Sequence, residues 1–189
     1  NDAPTAANGS GTTNEDTALN GTLPAATDLD GDTVTYAAGA TAPANGSLTV
    51  NSNGSFSYTP AANYNGSDSF SYVVSDGNGG SNEYTFNLTV SPVNDAPTAA
   101  NGSGTTNEDT ALNGTLPAAT DLDGDTVTYA AGATAPANGS LTVNSNGSFS
   151  YTPAANYNGS DSFSYVVSDG NGGSNEYTFN LTVSPVNDA

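Results

Sequence analysis

The chain has 189 residues, 19 Asp and Glu, no Lys, Arg or His, a formal net charge of −19, and no Cys, Met or Trp. Such a chain repels phosphate backbones and anionic headgroups, which excludes nucleic acid as a partner, and without cysteine it has neither disulfides nor thiolate metal sites. Without His, Cys or Lys there is no base poised near neutral pH and no activated nucleophile, so two-carboxylate glycoside hydrolysis is the one chemistry left, and the chain is read as no enzyme. No apolar run reaches membrane-spanning length, so membrane insertion is not expected.

Residue n and residue n+93 are identical throughout, so residues 1–93 and 94–186 are two copies and 187–189 begin a third. With no initiator Met, the sequence reads as a segment of something longer. A unit of this size buries one small core, so two domains are expected rather than solenoid turns of roughly 20–50 residues.

Residues 5–13 of the first copy are small and polar, a weak edge strand at most, and Asn14-Glu15-Asp16 is a polar turn. Leu19, Gly21 and Leu23 share one parity and define a short strand that ends at Pro24. An acidic loop follows at 27–32, then a strand through Val34 and Tyr36 and a turn at 41–46. Leu48 and Val50 lead through a turn at 51–54 into Phe56 and Tyr58, followed by a long loop at 60–68. Phe70, Tyr72 and Val74 alternate, residues 76–80 turn, and Tyr84, Phe86, Leu88 and Val90 close the unit. Period two holds from Leu19 to Val90 and no window favours a helical period. Seven short strands separated by turn signals predict an all-β fold, two tandem seven-stranded immunoglobulin-like sandwiches with these apolar residues as core.

Successive loops of such a sandwich alternate between its ends, with 14–16, 41–46 and 60–68 at one and 28–32, 51–54 and 76–80 at the other. Eight of the nine acidic residues per repeat are then in loops or linker, and only Glu83 is on or beside a strand. This alternation predicts one inter-domain cluster. It comprises Glu15, Asp16 and Asp68 of the first repeat, Asn94 and Asp95 of the joint, and Asp121, Asp123, Asp125 and Asp169 of the second. Equivalent half-sites are Asn1, Asp2, Asp28, Asp30, Asp32 and Asp76 at the head, and Glu108, Asp109, Asp161, Asn187 and Asp188 at the tail. Each pair of carboxylates about 5 Å apart costs roughly 1–3 kcal/mol, and no basic side chain offsets it. A cation must therefore offset the repulsion, or the domains must splay apart. Carboxylate and amide oxygens suit Ca²⁺, which takes 6–8 of them flexibly, better than the strictly octahedral Mg²⁺. Asp28-Leu29-Asp30-Gly31-Asp32 opens like an EF-hand, but Thr33 and Gly39 stand at its sixth and twelfth positions, so an EF-hand is rejected. An ordinary Asx turn is the alternative reading of that loop.

Several stretches together resemble a known family: Asn14-Glu15-Asp16-Thr17, Asp28-Leu29-Asp30-Gly31-Asp32, Gly54-Ser55-Phe56-Ser57-Tyr58-Thr59-Pro60, Asn63-Tyr64-Asn65-Gly66, Asp68-Ser69-Phe70, Val74-Ser75-Asp76-Gly77 and Val93-Asn94-Asp95-Ala96-Pro97. They resemble, in order, the cadherin-like tandem repeats of large bacterial RTX-type surface adhesins. The resemblance implies an extracellular, cell-surface location and a structural extender module, with Ca²⁺ stiffening the joints between sandwiches. Identical heads and tails further predict head-to-tail stacking of neighbouring repeats, which propagates into a filament. The alternative is a carbohydrate-binding surface module, in which the five tyrosines per repeat stack on a glycan.

Overall fold

A computed structural model describes residues 1–187; Asp188, placed in the tail half-site above, lies outside the described residues. Alternation of large apolar with small polar residues produces strands throughout, and the chain divides into two units, Asn1–Val93 and Asn94–Ala189. The first unit contains β1 (Gly9–Asn14), β2 (Leu19–Thr22), β3 (Thr35–Ala38), β4 (Gly46–Val50), β5 (Ser55–Pro60), β6 (Gly66–Ser75) and β7 (Ser81–Ser91). The second repeats them as β8 (Gly102–Asn107), β9 (Leu112–Thr115), β10 (Thr128–Ala131), β11 (Gly139–Val143), β12 (Ser148–Pro153), β13 (Gly159–Ser168) and β14 (Ser174–Ser184).

In the first unit one sheet has the order β1-β7-β6-β3 and the other β2-β5-β4; the second unit repeats both. All pairs are antiparallel except β1 with β7 and β8 with β14, which are parallel. The register sets Phe70 opposite Phe86 in one sheet, and Leu19 and Leu48 on either side of Tyr58 in the other.

The core lies between the sheets. Leu23, Phe56, Tyr58, Phe70, Tyr72, Val74, Phe86, Leu88 and Val90 are buried in the first unit. The rings of Phe56, Phe70 and Phe86 form its centre, with centroids 4.9–5.6 Å apart. Such ring pairs contribute about 0.5–1.5 kcal/mol each beyond the area they bury. Tyr58 and Tyr72 are fully buried, and Tyr36, Tyr64 and Tyr84 pack against the same core. Among the described residues, the large apolar side chains that are exposed are Leu29, Val93, Leu122 and Val186, none of them aromatic.

The edge strand expected at 5–13 is β1, at the edge of its sheet, where Gly9 lies against the Phe86 ring and Gly11 against Leu19 and Phe86. One local expectation changes. Asp68 is not in a loop. It lies within β6 opposite Leu88, and Asp161 likewise pairs with Leu181 in β13, so the expected loop at 60–68 shrinks to 61–65. Hydrogen bonding to β7 starts β6 at Gly66, four residues before its first large apolar residue, Phe70, in a stretch whose sequence is all turn-like. Glu83 is on β7, as its place in the alternation suggests.

Candidate metal centre

The acidic loop of the second unit is shaped by its first carboxylate. Asp121 Oδ1 accepts the backbone N–H of Asp123 at 3.0 Å and of Asp125 at 3.1 Å, a short-range Asx arrangement. Gly124 at φ +80° supplies the left-handed residue that closes this turn. The same turn in the first unit has Asp28 Oδ1 accepting from Asp30 at 2.9 Å and Asp32 at 3.1 Å, with Gly31 at φ +82°. Its consequence is that oxygens from Asp121, Asp123 and Asp125 all lie within 4.8 Å of one another.

Two further groups donate to this loop. The backbone N–H of Asp95 donates to Asp123 Oδ2 at 2.7 Å, and Asn171 Nδ2 donates to Asp125 Oδ2 at 2.7 Å. Asn94 Nδ2 donates to Asp169 Oδ2 at 2.7 Å, which brings Asn94 to the turn between β13 and β14. Asp169 is itself buried, and its Oδ1 accepts the backbone N–H of Asn171 at 2.7 Å and of Gly173 at 3.0 Å. The Asn94 amide, helped by those backbone donors, holds the Asp169 carboxyl below its ordinary pKa against its desolvation. The first unit repeats the set. Asn1 donates to Asp76 at 2.8 Å, the Asp2 N–H to Asp30 at 2.6 Å, and Asn78 to Asp32 at 3.0 Å, and Asp76 is lowered in the same way.

One oxygen in each set stands apart. Asp28 Oδ2 and Asp121 Oδ2 are buried yet accept no hydrogen bond among the described residues. A buried carboxylate oxygen is costly unless something compensates it. The neighbouring carboxylates make matters worse, and the chain has no Lys, Arg or His to compensate. A hard dication fits this donor set of carboxylate and amide oxygens.

The opposite end of each unit is built differently. Glu15 is buried, accepts the Val93 N–H on Oε1, and accepts a long 3.4 Å hydrogen bond from Asn65 Nδ2 on Oε2. Asp16 is exposed with φ +55°, and its Oδ1 accepts the Asn63 N–H at 3.0 Å. Glu108 and Asp109 repeat these contacts with Val186, Asn158 and Asn156. Asp68 is occupied on both oxygens. Oδ1 takes the N–H groups of Ala44 and Ser69, and Oδ2 takes the Asn45 N–H and the Tyr58 hydroxyl, all at 2.8–2.9 Å. Burial pushes its carboxyl up, but these four donors together outweigh burial and hold it below its usual value. The Tyr58 hydroxyl is pushed well up by burial and by the Asp68 carboxylate. Asp161 repeats the arrangement and serves to pin the loop before β11.

The set at the head of each unit is therefore Asn, Asp, the three loop aspartates and the aspartate after β6 or β13. Asn78 and Asn171 belong to it too, although sequence reasoning takes them only as turn residues. The one available signal was their place two residues after Asp76 and Asp169.

A family described as Big_9, bacterial Ig domain, matches residues 1–89 and again 94–182. Human protocadherin-24 EC1-2 is similar in structure with a TM-score of 0.60 at 19% identity, covering 95% of this chain and 95% of its own. Mouse cadherin-23 EC22-24 has a TM-score of 0.56 at 18% identity, covering all of this chain and 68% of its own. The endo-fucoidan hydrolase MfFcnA4 aligns at a TM-score of 0.44 and 22% identity, and this chain, 98% covered, spans only 29% of its length. No curated protein matches in sequence.

Proposed function

Because the chain belongs to the bacterial Ig-domain family and carries two of its domains in tandem, we propose that it is a non-catalytic structural module of a bacterial extracellular protein, an adhesin or fibre of RTX type, rigidified by Ca²⁺. The observation that carries the reading is the orphaned, buried Oδ2 of Asp28 and Asp121, set beside further carboxylates in a chain without a basic side chain. The ligands proposed at the joint are Asn94, Asp95, Asp121, Asp123, Asp125 and Asp169. Glu15 and Asp16 of the preceding repeat join them. Glu15 supports this because it holds the amide of Val93, one residue before Asn94. Asp68 contributes indirectly, by fixing the loop at its own end. Bound Ca²⁺ would supply the positive charge that lets these carboxylates remain together, and the residues around it fix its ligands by backbone hydrogen bonds. Repetition of the same half-sites lets neighbouring repeats, or neighbouring molecules, continue the series head to tail.

Calorimetric titration of Ca²⁺ into the chelated chain tests this. Binding at about 10⁻⁴–10⁻³ M is expected, with weak competition from Mg²⁺. Absence of heat at millimolar Ca²⁺ would sink the reading. Small-angle scattering adds the mechanical half: the maximum dimension should be larger and sharper with Ca²⁺ than with chelator, and identical curves would leave the ion without a stiffening role.

A further inference from the structure

Each repeat contains six Asn-Gly pairs, at Asn8, Asn20, Asn45, Asn53, Asn65 and Asn78. In such a pair the glycine backbone nitrogen can attack the asparagine Cγ, since no side chain shields it. The fold separates these six sites. Gly9, Gly21, Gly46 and Gly66 are strand residues paired with Phe86, Phe56, Pro60 and Val90. Gly54 donates its N–H to the Asn51 carbonyl at 2.9 Å. Gly79 differs from all five. It lies exposed between β6 and β7 at φ +105°, with open space around its Cα and no hydrogen bond to its N–H among the described residues. Gly172 repeats this at φ +111°. The asparagine before each is exposed, and its Nδ2 donates to Asp32 or Asp125 of the acidic loop.

We propose that Asn78 and Asn171 are the sites of spontaneous deamidation in this chain, and that the reaction places one more carboxylate at each acidic loop. The Gly172 nitrogen forms a bond to Asn171 Cγ, the Cγ–Nδ2 bond breaks, and Nδ2 leaves as ammonia carrying the peptide proton. Water then opens the cyclic imide, at Cγ to give aspartate or at the backbone carbonyl to give isoaspartate. No oxidant or cofactor is needed. The product replaces a hydrogen-bond donor to Asp125 with an anion facing it. Without a cation this is repulsive. With Ca²⁺ bound, a consequence that rests on the function proposed above, it is an additional charged ligand.

Peptide mapping by mass spectrometry of the two-repeat chain, aged warm at mildly alkaline pH, tests the site. Conversion at Asn78 and Asn171 should lead the other five pairs of each repeat, and earlier conversion at any of those would overturn the assignment. The double variant Asn78→Asp/Asn171→Asp tests the consequence. Its calcium affinity should rise roughly three- to tenfold, since added ligand charge tightens such sites, while its melting temperature in chelator falls. Unchanged affinity would overturn the link to the acidic loop. If the unmodified chain takes up no Ca²⁺, the calcium reading fails and the mapping result still stands or falls alone.

Discussion

Asp28→Asn/Asp121→Asn probes the oxygen on which the metal reading rests. Asparagine keeps a carbonyl at the Oδ1 position, where two backbone N–H groups must be accepted, and replaces only the orphaned Oδ2 and the charge. In chelator two effects oppose each other. At 4.8 Å, the widest separation among the clustered oxygens of Asp121, Asp123 and Asp125, a pair of carboxylates repels by about 0.9 kcal/mol in water and about 3.5 kcal/mol at an effective dielectric of 20. Asp123 and Asp30 are exposed, so the lower figure applies, about 1 kcal/mol for each of two pairs. The unfolded chain retains part of that repulsion because the residues are close in sequence, leaving a net relief of about 1 kcal/mol. Against this, the two backbone hydrogen bonds lose their charge assistance, which costs about 0.5 kcal/mol each. The sum is near zero.

With Ca²⁺ a hundredfold above its dissociation constant, the parent chain gains about 2.7 kcal/mol per site and the variant gains none. Thermal unfolding followed by circular dichroism should therefore show melting temperatures within about 4–8 °C in chelator. In saturating Ca²⁺ they should diverge by more than about 10 °C. Equal destabilisation under both conditions would mean that Asp28 and Asp121 serve only their turns, and the metal argument would be wrong.

Asp68→Asn/Asp161→Asn should cost about 2–3 kcal/mol per domain in urea unfolding, because the new Nδ2 faces the Asn45 or Asn138 N–H in place of an acceptor. The folded-state pKa of Asp68 is depressed, so its stabilisation is complete above the unfolded value near 4 and is lost as pH falls through the lower folded value. Urea midpoints should fall more steeply below about pH 4 in the parent than in this variant; parallel profiles would refute the assignment. Gly39→Ala sets a Cβ against Glu83 Oε1, Ser71 Oγ and the Ser71 backbone, and the last cannot move aside within β6. A loss of about 1–3 kcal/mol is expected by the same assay. Phe70→Ala empties the centre of the aromatic cluster and should cost about 3–5 kcal/mol, and a loss under 1 kcal/mol would show that the cluster is not the core.

The sandwich was legible because residues facing its core are large and alternate within the strands from Leu19 to Val90. Where core contact is made by small residues, the signal weakens. β1 has no apolar side chain larger than a methyl, and its place depends on Phe86, remote in sequence, filling the space above Gly9 and Gly11. Asp68 fails for a related reason. Its neighbours Gly66, Ser67 and Ser69 look like loop, while its partners Ala44, Asn45 and Tyr58 are ten or more residues away. The acidic loop at 28–32 was legible as a unit because its hydrogen bonds are local, spanning two to four residues. The contribution of Asn78 was not, since its contact with Asp32 crosses 46 residues.

The side chains divide the acidic residues into two kinds, and the division bears on what the charge is for. Asp68 takes four donors, and Glu83 takes the Ser71 hydroxyl and the Ala40 N–H. Both are held below their ordinary pKa by these donors. They need no cation, because hydrogen bonds to backbone and side chains take the place of water. The loop aspartates are unlike them. Asp28 spends one oxygen on its turn and leaves the other buried and unpaired, and Asp30 and Asp32 each draw a donor on one oxygen only. A chain selected only for a stable sandwich would lose little by replacing one of the three with Asn or Ser, which suit the same turn without the repulsion. Retaining three carboxylates around one orphaned oxygen makes physical sense if a cation supplies what the sequence lacks. The calcium dependence of Asp28→Asn/Asp121→Asn is thus the measurement that separates the two kinds of acid.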